Sequence, residues 1–553
     1  MNVCKNCNVR TELFFCPNCG RIFTYPAFLG DYNDVRDSLK TYVKQMVDKA
    51  KNAKVKAEEM TDKAGLSQAV YRKYYQQMTY LQWLCNNRKS RNLFGNNGDD
   101  LLDEMREFSD KCMNNECQIA IVGTIKAGKS MFINALLDRE IASTYPTPET
   151  ASVTKFRSSP DTDYVKVAFY TADEWRHLWD SVVKASETSA RKDDKEGFME
   201  EYNSLNADSI KDGCLGKEPM TFRPKDTEEL KIIVDRYTSA RYAEHYFAKE
   251  VEIGIAGLPL PTNVVFVDTP GLNDPVQFRS DITKAYLKSA NVILLCVKAS
   301  SAELRAQEIE EIGNLFAQMR YSKERIYVIA TQIDMQPDYL NYWEKFTYPV
   351  FIKHLSRESI YGSAEEAKKH IFPVTAGYYN QIRRAIRDIS VWKDKENKRH
   401  LDELVRRSIE IPSFEELVDQ YGEEKAAKMY KSPQKAFYER SGELIDMTDI
   451  PQVRQHLTDG PVREAESIIM NDVKDLYRAI KVKIENVTSE RLKLQANIIS
   501  QSKAIDVQQR MQKLSAQVEN SRAEYESTKT ELHSLLEEME NTTKSIINQA
   551  KGK

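Results

Sequence analysis

Residues 118–137 read QIAIVGTIKAGKSMFINALL, an apolar run followed by a loop bounded by glycines and then by a helical pattern. The loop, from Gly123 to Ser130, is G-x-x-x-x-G-K-S, and its place between a predicted strand and a predicted helix is the context that a phosphate-binding loop requires. Glycines let backbone N–H groups approach phosphate oxygens, and the start of a helix attracts negative charge. We therefore expect Lys129 to pair with the β- and γ-phosphates of a nucleotide and Ser130 to bind Mg²⁺.

A second apolar run ends in an acidic residue and a turn, VVFVDTPG at 264–271. The run predicts a buried strand, so Asp268 stands at the end of that strand, within reach of Mg²⁺. The N–H of Gly271 is placed to meet the γ-phosphate. The segment is therefore a predicted nucleotide-sensing switch.

A third run, IYVIATQID at 326–334, ends in the tetrapeptide Thr331–Asp334. GTPases usually carry Asn or Thr, Lys, any residue and Asp here, and this chain has Gln332 where the lysine usually stands. The Asp334 carboxylate would accept two hydrogen bonds from guanine N1 and N2 groups, which adenine does not supply. A plain turn at the end of a strand is the alternative, and FPVTAG at 372–377 is a candidate loop on the base side.

The segment YPTPETASVT at 145–154 is a candidate switch loop, because its two prolines mark an irregular connection before a β-branched stretch. In such a loop a threonine binds Mg²⁺ when the γ-phosphate is present. Thr150 is the first choice, and Thr147 and Thr154 are alternatives.

The N-terminus carries a candidate metal site, CKNCNVRTELFFCPNCG at 4–20. Two Cys-x-x-Cys pairs supply four thiolates, the ligand set that tetrahedral structural Zn²⁺ prefers. Four reduced thiols or a redox pair are the alternatives. Because four protein ligands leave no open position, we expect a structural role for the metal. The predicted ligands are Cys4, Cys7, Cys16 and Cys19, and the pattern resembles the small zinc ribbons of many bacterial proteins.

The motifs GTIKAGKS, TPETA, DTPG and TQID together resemble those of the bacterial dynamin-like proteins, which are large GTPases. The resemblance is specific over residues 118–154 and 264–334. It implies an α/β P-loop GTPase domain with a mostly parallel sheet flanked by helices, and hydrolysis of GTP to GDP and phosphate that rises when two such domains dimerise face to face. The implied nucleotide-binding residues are Gly123, Thr124, Ile125, Lys126, Ala127, Gly128, Lys129, Ser130, Met131, Asp268, Gly271, Thr331, Gln332 and Asp334.

Lys126 is a further candidate for catalysis. Dynamins have a small residue here that helps to bind an activating monovalent cation, and the guanylate-binding branch has an arginine. The Lys126 ammonium could replace either by stabilising charge between the β- and γ-phosphates. A solvated loop lysine is the alternative. The predicted catalytic residues are Lys126, Lys129, Ser130 and Thr150, and the predicted Mg²⁺ ligands are Ser130, Thr150 and Asp268.

Helical patterns flank this core, since residues 31–112 contain no proline and are rich in Lys, Glu, Gln, Tyr and Leu. The aromatic residues between 71 and 83 are at helical spacing, which favours packing over base stacking. Apolar residues from 465 to 487, and a 3–4 alternation from 511 to 546, predict long C-terminal helices and a coiled coil, within one chain or between chains. The predicted domains are a zinc ribbon (1–25), an N-terminal helical segment of a stalk (31–112), the GTPase domain (113–390, with a helical insertion at about 170–250), a helical connector (391–460) and the C-terminal stalk helices (461–553).

Composition excludes several classes of protein. The 553 residues contain 80 Lys plus Arg and 83 Asp plus Glu, a net charge of −3, so no chain-wide basic field for nucleic acid exists. No apolar run approaches the roughly 18 residues of a membrane span, and the N-terminus lacks a signal-peptide pattern, so we expect a cytoplasmic protein.

The leading hypothesis is a GTPase with GTP, Mg²⁺ and Zn²⁺ as cofactors, whose dimerisation moves a helical stalk, with a homodimer or higher homo-oligomer formed through the GTPase domains. Peripheral membrane contact and an unidentified protein partner stay open, and nothing supports a nucleic-acid partner. The alternatives are a nucleotide-gated scaffold that binds a protein or nucleic acid through the zinc ribbon, and an ATPase.

Overall fold

The structure is a computed structural model that divides into two compact units. One unit combines residues 1–115 with 470–553, and the other contains residues 116–469. The structure describes residues 2–11, 15–24, 33–63, 69–85, 98–113, 116–123, 126–143, 153–184, 199–270, 290–300, 312–313, 316, 323–335, 338–409, 411–501, 519 and 521–534.

A mixed sheet forms the centre of the 116–469 unit, with the order β11-β10-β9-β3-β8-β4-β7-β5-β6 among the described residues. Strands β3, β8, β9, β10 and β11 are mutually parallel, β4 runs antiparallel to β8, and β5 and β6 form an antiparallel edge. The strands are β3 (Cys117–Gly123), β4 (Val153–Ser159), β5 (Tyr164–Phe169), β6 (Met220–Phe222), β7 (Ala248–Ala256), β8 (Val264–Asp268), β9 (Val292–Lys298), β10 (Ile326–Thr331) and β11 (Ile371–Pro373).

The central strands are apolar almost without interruption because helices cover a parallel sheet on both faces. All residues of β8 and β10 are buried, and β9 is buried except for Lys298. This confirms the predicted α/β class. The helices of this unit are Lys129–Leu137, Ala172–Lys184, Asp208–Cys214, Thr227–Thr238, Tyr339–Tyr342, Tyr348–Leu355, Ala364–Lys369, Ala376–Arg387, Lys395–Ile409, Phe414–Tyr421, Glu423–Met429, Pro433–Glu439, Ser441–Asp446 and Ile450–Leu457. Two π-turns, Trp343–Thr347 and Thr458–Val462, interrupt the helical segments.

Two segments differ in detail from the sequence-based description. Residues 170–250 contain helices, as expected, but also supply β6 and the start of β7 at one side of the sheet. Residues 391–460 belong to the same compact unit as the sheet, and their helices share a hydrophobic core that includes Trp392, Leu404 and Phe437. Apolar contacts of this kind make the helices of this segment part of the same packed unit as the sheet.

The described residues of the other unit are mostly helical, with a small N-terminal hairpin of β1 (Asn2–Val3) and β2 (Arg10–Thr11). Its core includes the rings of Tyr74, Phe108 and Tyr477, whose centroids are 6.0–6.2 Å apart. Aromatic residues here pack against helices, as their spacing predicts; the side chains of Tyr71 and Trp83 lie outside the described residues. The helices are Asn33–Lys63, Ala69–Cys85, Gly98–Met113 and, from Met470 onward, Ala465–Gln501.

The C-terminal helical segment packs within its own chain where it is described, at residues 521–534. The Tyr80 hydroxyl donates a hydrogen bond to the Glu531 carboxylate, and both groups are largely buried. The rest of the predicted coiled coil, including 535–546, lies outside the described residues. Within the described part of the chain, no helix is long and apolar enough to cross a membrane.

Candidate nucleotide and metal sites

Three predicted motifs converge because they follow parallel strands in the central part of one sheet. Gly123, Asp268 and Thr331 end β3, β8 and β10. Parallel strands present their carboxyl ends at one edge of the sheet, which is where ligands bind in open α/β folds. The sheet order therefore brings together residues that are about 200 positions apart in the sequence.

The phosphate loop leads directly from β3 into the helix Lys129–Leu137. Gly128 adopts a left-handed conformation, with φ of 80°, immediately before that helix. The Lys129 Nζ atom donates a hydrogen bond to the Gly123 carbonyl oxygen at 3.3 Å, and the lysine is only 9% exposed. The loop thus places a buried ammonium group at the start of a helix, the arrangement that favours a phosphate.

Gly123 is required by a close approach between strands. A Cβ atom at this position would lie 2.5 Å from the Cys296 carbonyl oxygen and 3.3 Å from the Ala127 Cβ atom. Any side chain here would push the loop away from β9. The motif glycine is therefore needed for packing as well as for phosphate approach.

Asp268 is a buried acidic group of the candidate site. It is 4% exposed, and among the described residues its Oδ1 atom has no hydrogen-bond partner. Burial raises the pKa of Asp268 to about 7, and the charge of Lys129 opposes the rise. A buried, unsatisfied carboxylate oxygen is a fitting ligand for Mg²⁺, a hard cation that prefers oxygen donors.

The residues predicted to form the guanine-binding side of the site also lie close together. Burial raises the pKa of Asp334, and Arg407 opposes this effect. A Cβ atom on Gly377 would lie 3.6 Å from Asp334 Oδ2 and 3.2 Å from Met131 Cε. The 372–377 segment therefore lies beside Asp334, where the sequence places the base-side loop.

Thr331 and Gln332 contact the phosphate loop directly. Thr331 Oγ1 donates a hydrogen bond to the Ala127 carbonyl oxygen at 2.6 Å, and Gln332 Nε2 donates one to the Lys126 carbonyl oxygen at 2.8 Å. Thr331 is 2% exposed, and its hydroxyl group also lies within hydrogen-bonding distance of the Val297 carbonyl oxygen, at 3.1 Å. Lys126 itself is exposed, with a left-handed φ of 62°.

The far end of the phosphate-loop helix is held by residues that the sequence analysis missed. Asp138, which ends the helix with a left-handed φ of 55°, accepts hydrogen bonds from Arg383 and Arg387. Arg454 Nε donates a hydrogen bond to the Leu136 carbonyl oxygen at 3.0 Å. No local pattern reveals these contacts, since the partners are about 245 to 318 residues apart.

The structure describes most, but not all, of the residues predicted for the nucleotide site. The structure places Gly123, Lys126, Ala127, Gly128, Lys129, Ser130, Met131, Asp268, Thr331, Gln332 and Asp334 at or beside one edge of the sheet. Thr124, Ile125, Thr147, Thr150 and Gly271 lie outside the described residues. The alternative switch residue Thr154 is buried in β4, where it is the register partner of Asp268 on the adjacent strand β8.

The N-terminal cysteines form two similar turns. In the first turn Cys4 accepts a backbone hydrogen bond from Asn8, and in the second Cys16 accepts one from Gly20, both at 2.8 Å. Asn8 and Gly20 occupy the same position in each turn, and both are left-handed, with φ of 55° and 71°. Such paired turns aim the cysteine side chains at one point.

The four sulfur atoms lie within 4.8 Å of one another. The Sγ atoms of Cys4 and Cys19 are 3.7 Å apart. Tetrahedral zinc with Zn–S bonds of about 2.3 Å requires a sulfur–sulfur distance of roughly 3.8 Å, so the two distances agree. Burial opposes ionisation of Cys4, but backbone hydrogen bonds from Asn6 and Cys7 lower its pKa to about 7. The residues present therefore fit a zinc ion.

Comparison with known proteins finds a family that is similar to the part of the chain that forms this sheet. Residues 119–333 match the model of the dynamin family. Dynamin-like protein 1 of Campylobacter jejuni subsp. jejuni serotype O:23/36 (strain 81-176) is 28% identical over 238 residues, which are 43% of this chain and 30% of that protein. Residues 119–333 are therefore similar to the dynamin family, and the match spans 30% of the length of the Campylobacter protein.

The solved structures that match this chain include an oligomerised bacterial dynamin pair, described as providing a mechanism for the long range sensing and tethering of membranes. It is 17% identical with a TM-score of 0.39, over 86% of this chain and 53% of that one. Aquifex aeolicus Era bound to GDP and AlF₄⁻ is 14% identical with a TM-score of 0.23, over 53% of this chain and 65% of that one.

Proposed function

We propose that this protein binds GTP with Mg²⁺ and hydrolyses it to GDP and phosphate. The main support is the juxtaposition of Lys129 and Asp268. Lys129 is a buried cation at the start of the phosphate-loop helix, and Asp268 is a buried, unsatisfied carboxylate at the end of β8, which neighbours β3. When bound, Mg²⁺ neutralises charge on the phosphates. Asp268 and Ser130 are the described residues that would hold the ion, with Thr150 as a further ligand from the switch loop.

The chain's own groups supply positioning and charge. Lys129 would pair with the β- and γ-phosphates, and the N–H groups at the start of its helix would donate to their oxygens. Phosphoryl transfer needs such electrostatic stabilisation more than a general base. The exposed Lys126 ammonium group would stabilise negative charge on the oxygen between the β- and γ-phosphates. Lys126→Ala should therefore lower turnover much more than GTP affinity. Equal losses of both would contradict this role.

The domain match also supports nucleotide-dependent self-association, with hydrolysis that moves the helical unit of residues 1–115 and 470–553. The decisive experiment is GTP turnover per molecule over a wide range of protein concentration, with Lys129→Ala as the blank. A rate per molecule that rises with concentration supports domains that complete one another's sites. A low, flat rate that the blank still lowers would instead support a nucleotide-gated scaffold awaiting a partner.

Membrane remodelling is the broader role we propose, as a peripheral protein in the cytoplasm. Its test is sedimentation of the protein with liposomes in GTP, in GDP and without nucleotide. Co-sedimentation that depends on GTP and is lost in Lys129→Ala would support the role. Equal, negligible sedimentation in all three conditions would remove it and leave the GTPase proposal intact.

We further propose that Cys4, Cys7, Cys16 and Cys19 hold one structural Zn²⁺. A Cβ atom on Gly20 would lie 3.3 Å from Lys44 Cα, so the second turn packs closely against the helix Asn33–Lys63. Zinc would therefore stabilise the small hairpin on that helix. Four thiolate ligands leave no place for a reacting molecule, which limits the metal to this role.

A further inference from the structure

Two helices of the unit that contains the sheet meet at a turn, residues 384–399, which we call the basic corner. The helix Ala376–Arg387 leads into the turn, Ile389–Lys393 forms a 3₁₀ turn, and the helix Lys395–Ile409 leads away from it. The first helix begins beside Asp334 and is roughly 18 Å long, at about 1.5 Å per residue. The basic corner therefore lies well away from the base-side loop.

The basic corner is anchored to the unit by Trp392. This side chain is buried in the hydrophobic core that also contains Leu404 and Phe437. The centroids of the Trp392 and Phe437 rings are 5.3 Å apart. The exposed side chains of the basic corner are therefore carried by a turn that is packed in place.

The basic corner is positively charged in a chain that is not. It contains six Lys or Arg and three Asp or Glu, whereas the whole chain has a net charge of −3. Two of the three acids cap backbone N–H groups. Asp388 accepts a hydrogen bond from the Ser390 N–H at 2.8 Å, and Asp394 accepts one from the Asn397 N–H at 2.9 Å. The acids of the basic corner thus hold its turns, and positive charge is in excess.

The cations of the basic corner are exposed. Arg387 pairs with Asp138, but the other five form no ion pair with another residue that the structure describes. These five are Arg384, Lys393, Lys395, Lys398 and Arg399. Lys395 and Lys398 lie in the first turn of their helix, where the helix dipole disfavours positive charge. Their charge therefore does not stabilise the helix, and it is available to an anionic partner.

Arg384 and Lys393 flank the same point of the turn, although they belong to different elements. Hydrogen bonds from Ser390 lower the pKa of Asp388, and the charges of Arg384 and Lys393 lower it further. Both cations therefore lie near the Asp388 carboxylate. The positive charge of the basic corner is thus concentrated on one turn.

Exposed isoleucines lie among these cations. Ile389 is 62% exposed, and Ile386 is also exposed. The exposed Tyr438 is close to them, because its hydroxyl group donates a hydrogen bond of 3.1 Å to the Ala385 carbonyl oxygen. Aliphatic side chains are unfavourable in water, and next to cations they are suited to the boundary between lipid headgroups and acyl chains.

We propose that the basic corner is a membrane-contact surface, which binds anionic lipid headgroups through its lysines and arginines and inserts Ile389 at the level of the acyl chains. The inference rests on the membrane role proposed above, for which it names the surface and the class of lipid. The isoleucines favour a membrane over a nucleic acid. Nucleic-acid phosphates would pair with the cations but would leave Ile389 in water, whereas an anionic bilayer accommodates both.

The test is sedimentation of the full-length protein in GTP with vesicles of phosphatidylcholine, alone or mixed with phosphatidylglycerol. Wild type should bind the mixed vesicles at least about tenfold more tightly. Lys393→Gln/Lys398→Gln should weaken this binding about twentyfold, because each basic residue near an anionic surface contributes about fivefold. Ile389→Ser should weaken it about fivefold without changing its dependence on salt, since no charge is lost.

Matched controls change the same residue types elsewhere in the unit. Lys353→Gln/Lys368→Gln removes two exposed lysines from other helices. Ile232→Ser removes an isoleucine that is 56% exposed on a helix whose first turn contains Glu228 and Glu229. Both controls should bind the mixed vesicles as wild type does, and all four variants should melt at the wild-type temperature.

The outcomes separate this inference from the membrane role. Equal binding of wild type to both kinds of vesicle, or unchanged binding by Lys393→Gln/Lys398→Gln or by Ile389→Ser, would overturn the inference and leave the membrane role intact. Wild type that sediments with neither kind of vesicle, in GTP or in GDP, would overturn both and leave the GTPase proposal intact. If the lysine substitutions weakened binding of polyuridine RNA and left vesicle binding unchanged, the basic corner would be a nucleic-acid surface, and the inference would be wrong.

Discussion

Arg383 donates a hydrogen bond of 2.7 Å from Nε to Asp138 Oδ1, at the end of the phosphate-loop helix. Arg383 lies on the helix Ala376–Arg387, whose second residue, Gly377, lies beside Asp334. The ion pair therefore joins the two helices that carry the phosphate-binding and base-side segments. Arg387 also contacts Asp138, which makes the acid the centre of a charged cluster.

Arg383→Ala should lower the free energy of unfolding of the 116–469 unit by about 1–2 kcal/mol, because Asp138 is only 29% exposed and keeps just one of its arginines. Urea unfolding near neutral pH measures this. Arg384→Ala, an exposed neighbour on the same helix, is the control and should cost less than about 0.5 kcal/mol. Equal effects of the two substitutions would contradict the assigned contact.

The cluster of Asp138 and its arginines should make the free energy of unfolding depend on pH in the acid range. Burial raises the pKa of Asp138, but hydrogen bonding and charge from Arg383, with Arg387 and Arg454, lower it overall below 3.8. A lowered carboxyl pKa adds stability above the unfolded value, and that stability is lost as the pH falls through the folded pKa. Asp138→Asn should therefore flatten the loss of stability below about pH 4, as unfolding across pH would show. If Asp138→Asn lost stability below pH 4 as steeply as the wild type, this explanation would be wrong.

Asp268→Asn should affect the free protein and the nucleotide complex in opposite ways. At pH 8 the buried carboxylate is ionised and lacks a partner at Oδ1, so the amide should stabilise the nucleotide-free protein by about 1–3 kcal/mol. In contrast, the variant should lose the Mg²⁺-dependent part of GTP affinity, measured with and without a chelator. Asp163→Asn is the control, because Asp163 forms an ion pair with Arg139 at 2.8 Å. The GTP affinity of this variant should still rise with Mg²⁺. An Asp268→Asn protein whose affinity still rises with Mg²⁺ would remove Asp268 from the metal site.

Asp334→Ala should abolish the preference for GTP over ATP while leaving phosphate binding in place, because the carboxylate is the group that guanine N1 and N2 would meet. Competition between GTP and ATP measures the preference. Asp338→Ala is a nearby control, since Asp338 instead accepts a hydrogen bond from Asn341 at 2.7 Å. A wild-type protein without a guanine preference would favour an ATPase, with Asp334 then a strand-end residue.

The purified chain should carry one zinc ion, measured by elemental analysis. Cys16→Ser should lose the metal and weaken the packing of the hairpin on the helix Asn33–Lys63, whereas Cys214→Ser, a buried thiol in the other unit, should keep it. Added chelator should lower the melting temperature of wild type but not of Cys16→Ser. Full zinc content in Cys16→Ser would overturn the four-thiolate site.

The nucleotide motifs and their strands were predictable because each is a local pattern. Apolar runs at 264–267 and 326–330 predicted strands that the structure confirms as Val264–Asp268 and Ile326–Thr331. The paired Cys-x-x-Cys segments predicted a metal cluster in the same way, since four ligands within 16 residues constrain one another. The switch threonine and Gly271 remain predictions outside the described residues.

The contacts of Gln332 and Asp138 were not predictable. The sequence marks Gln332 as a departure from the usual lysine, but only the folded loop shows that its amide group binds Lys126. Asp138 has the sequence context of an ordinary residue after a helix, and the two arginines that contact it lie on one helix about 245 residues further along the chain. Pairings of this kind depend on strand order and helix packing, to which local periodicity does not respond.

By itself, the sequence determined which chemical groups are present and which short segments carry them: a phosphate loop, two acidic strand ends and four thiols. These follow from local spacing, because a turn or a strand end positions neighbouring atoms whatever surrounds it. Only the tertiary structure decided that the TQID turn holds the phosphate loop and that Arg383 and Arg454 hold the end of its helix. These contacts exist because the parallel sheet brings distant carboxyl ends to one edge and packs the following helices against the phosphate-loop helix.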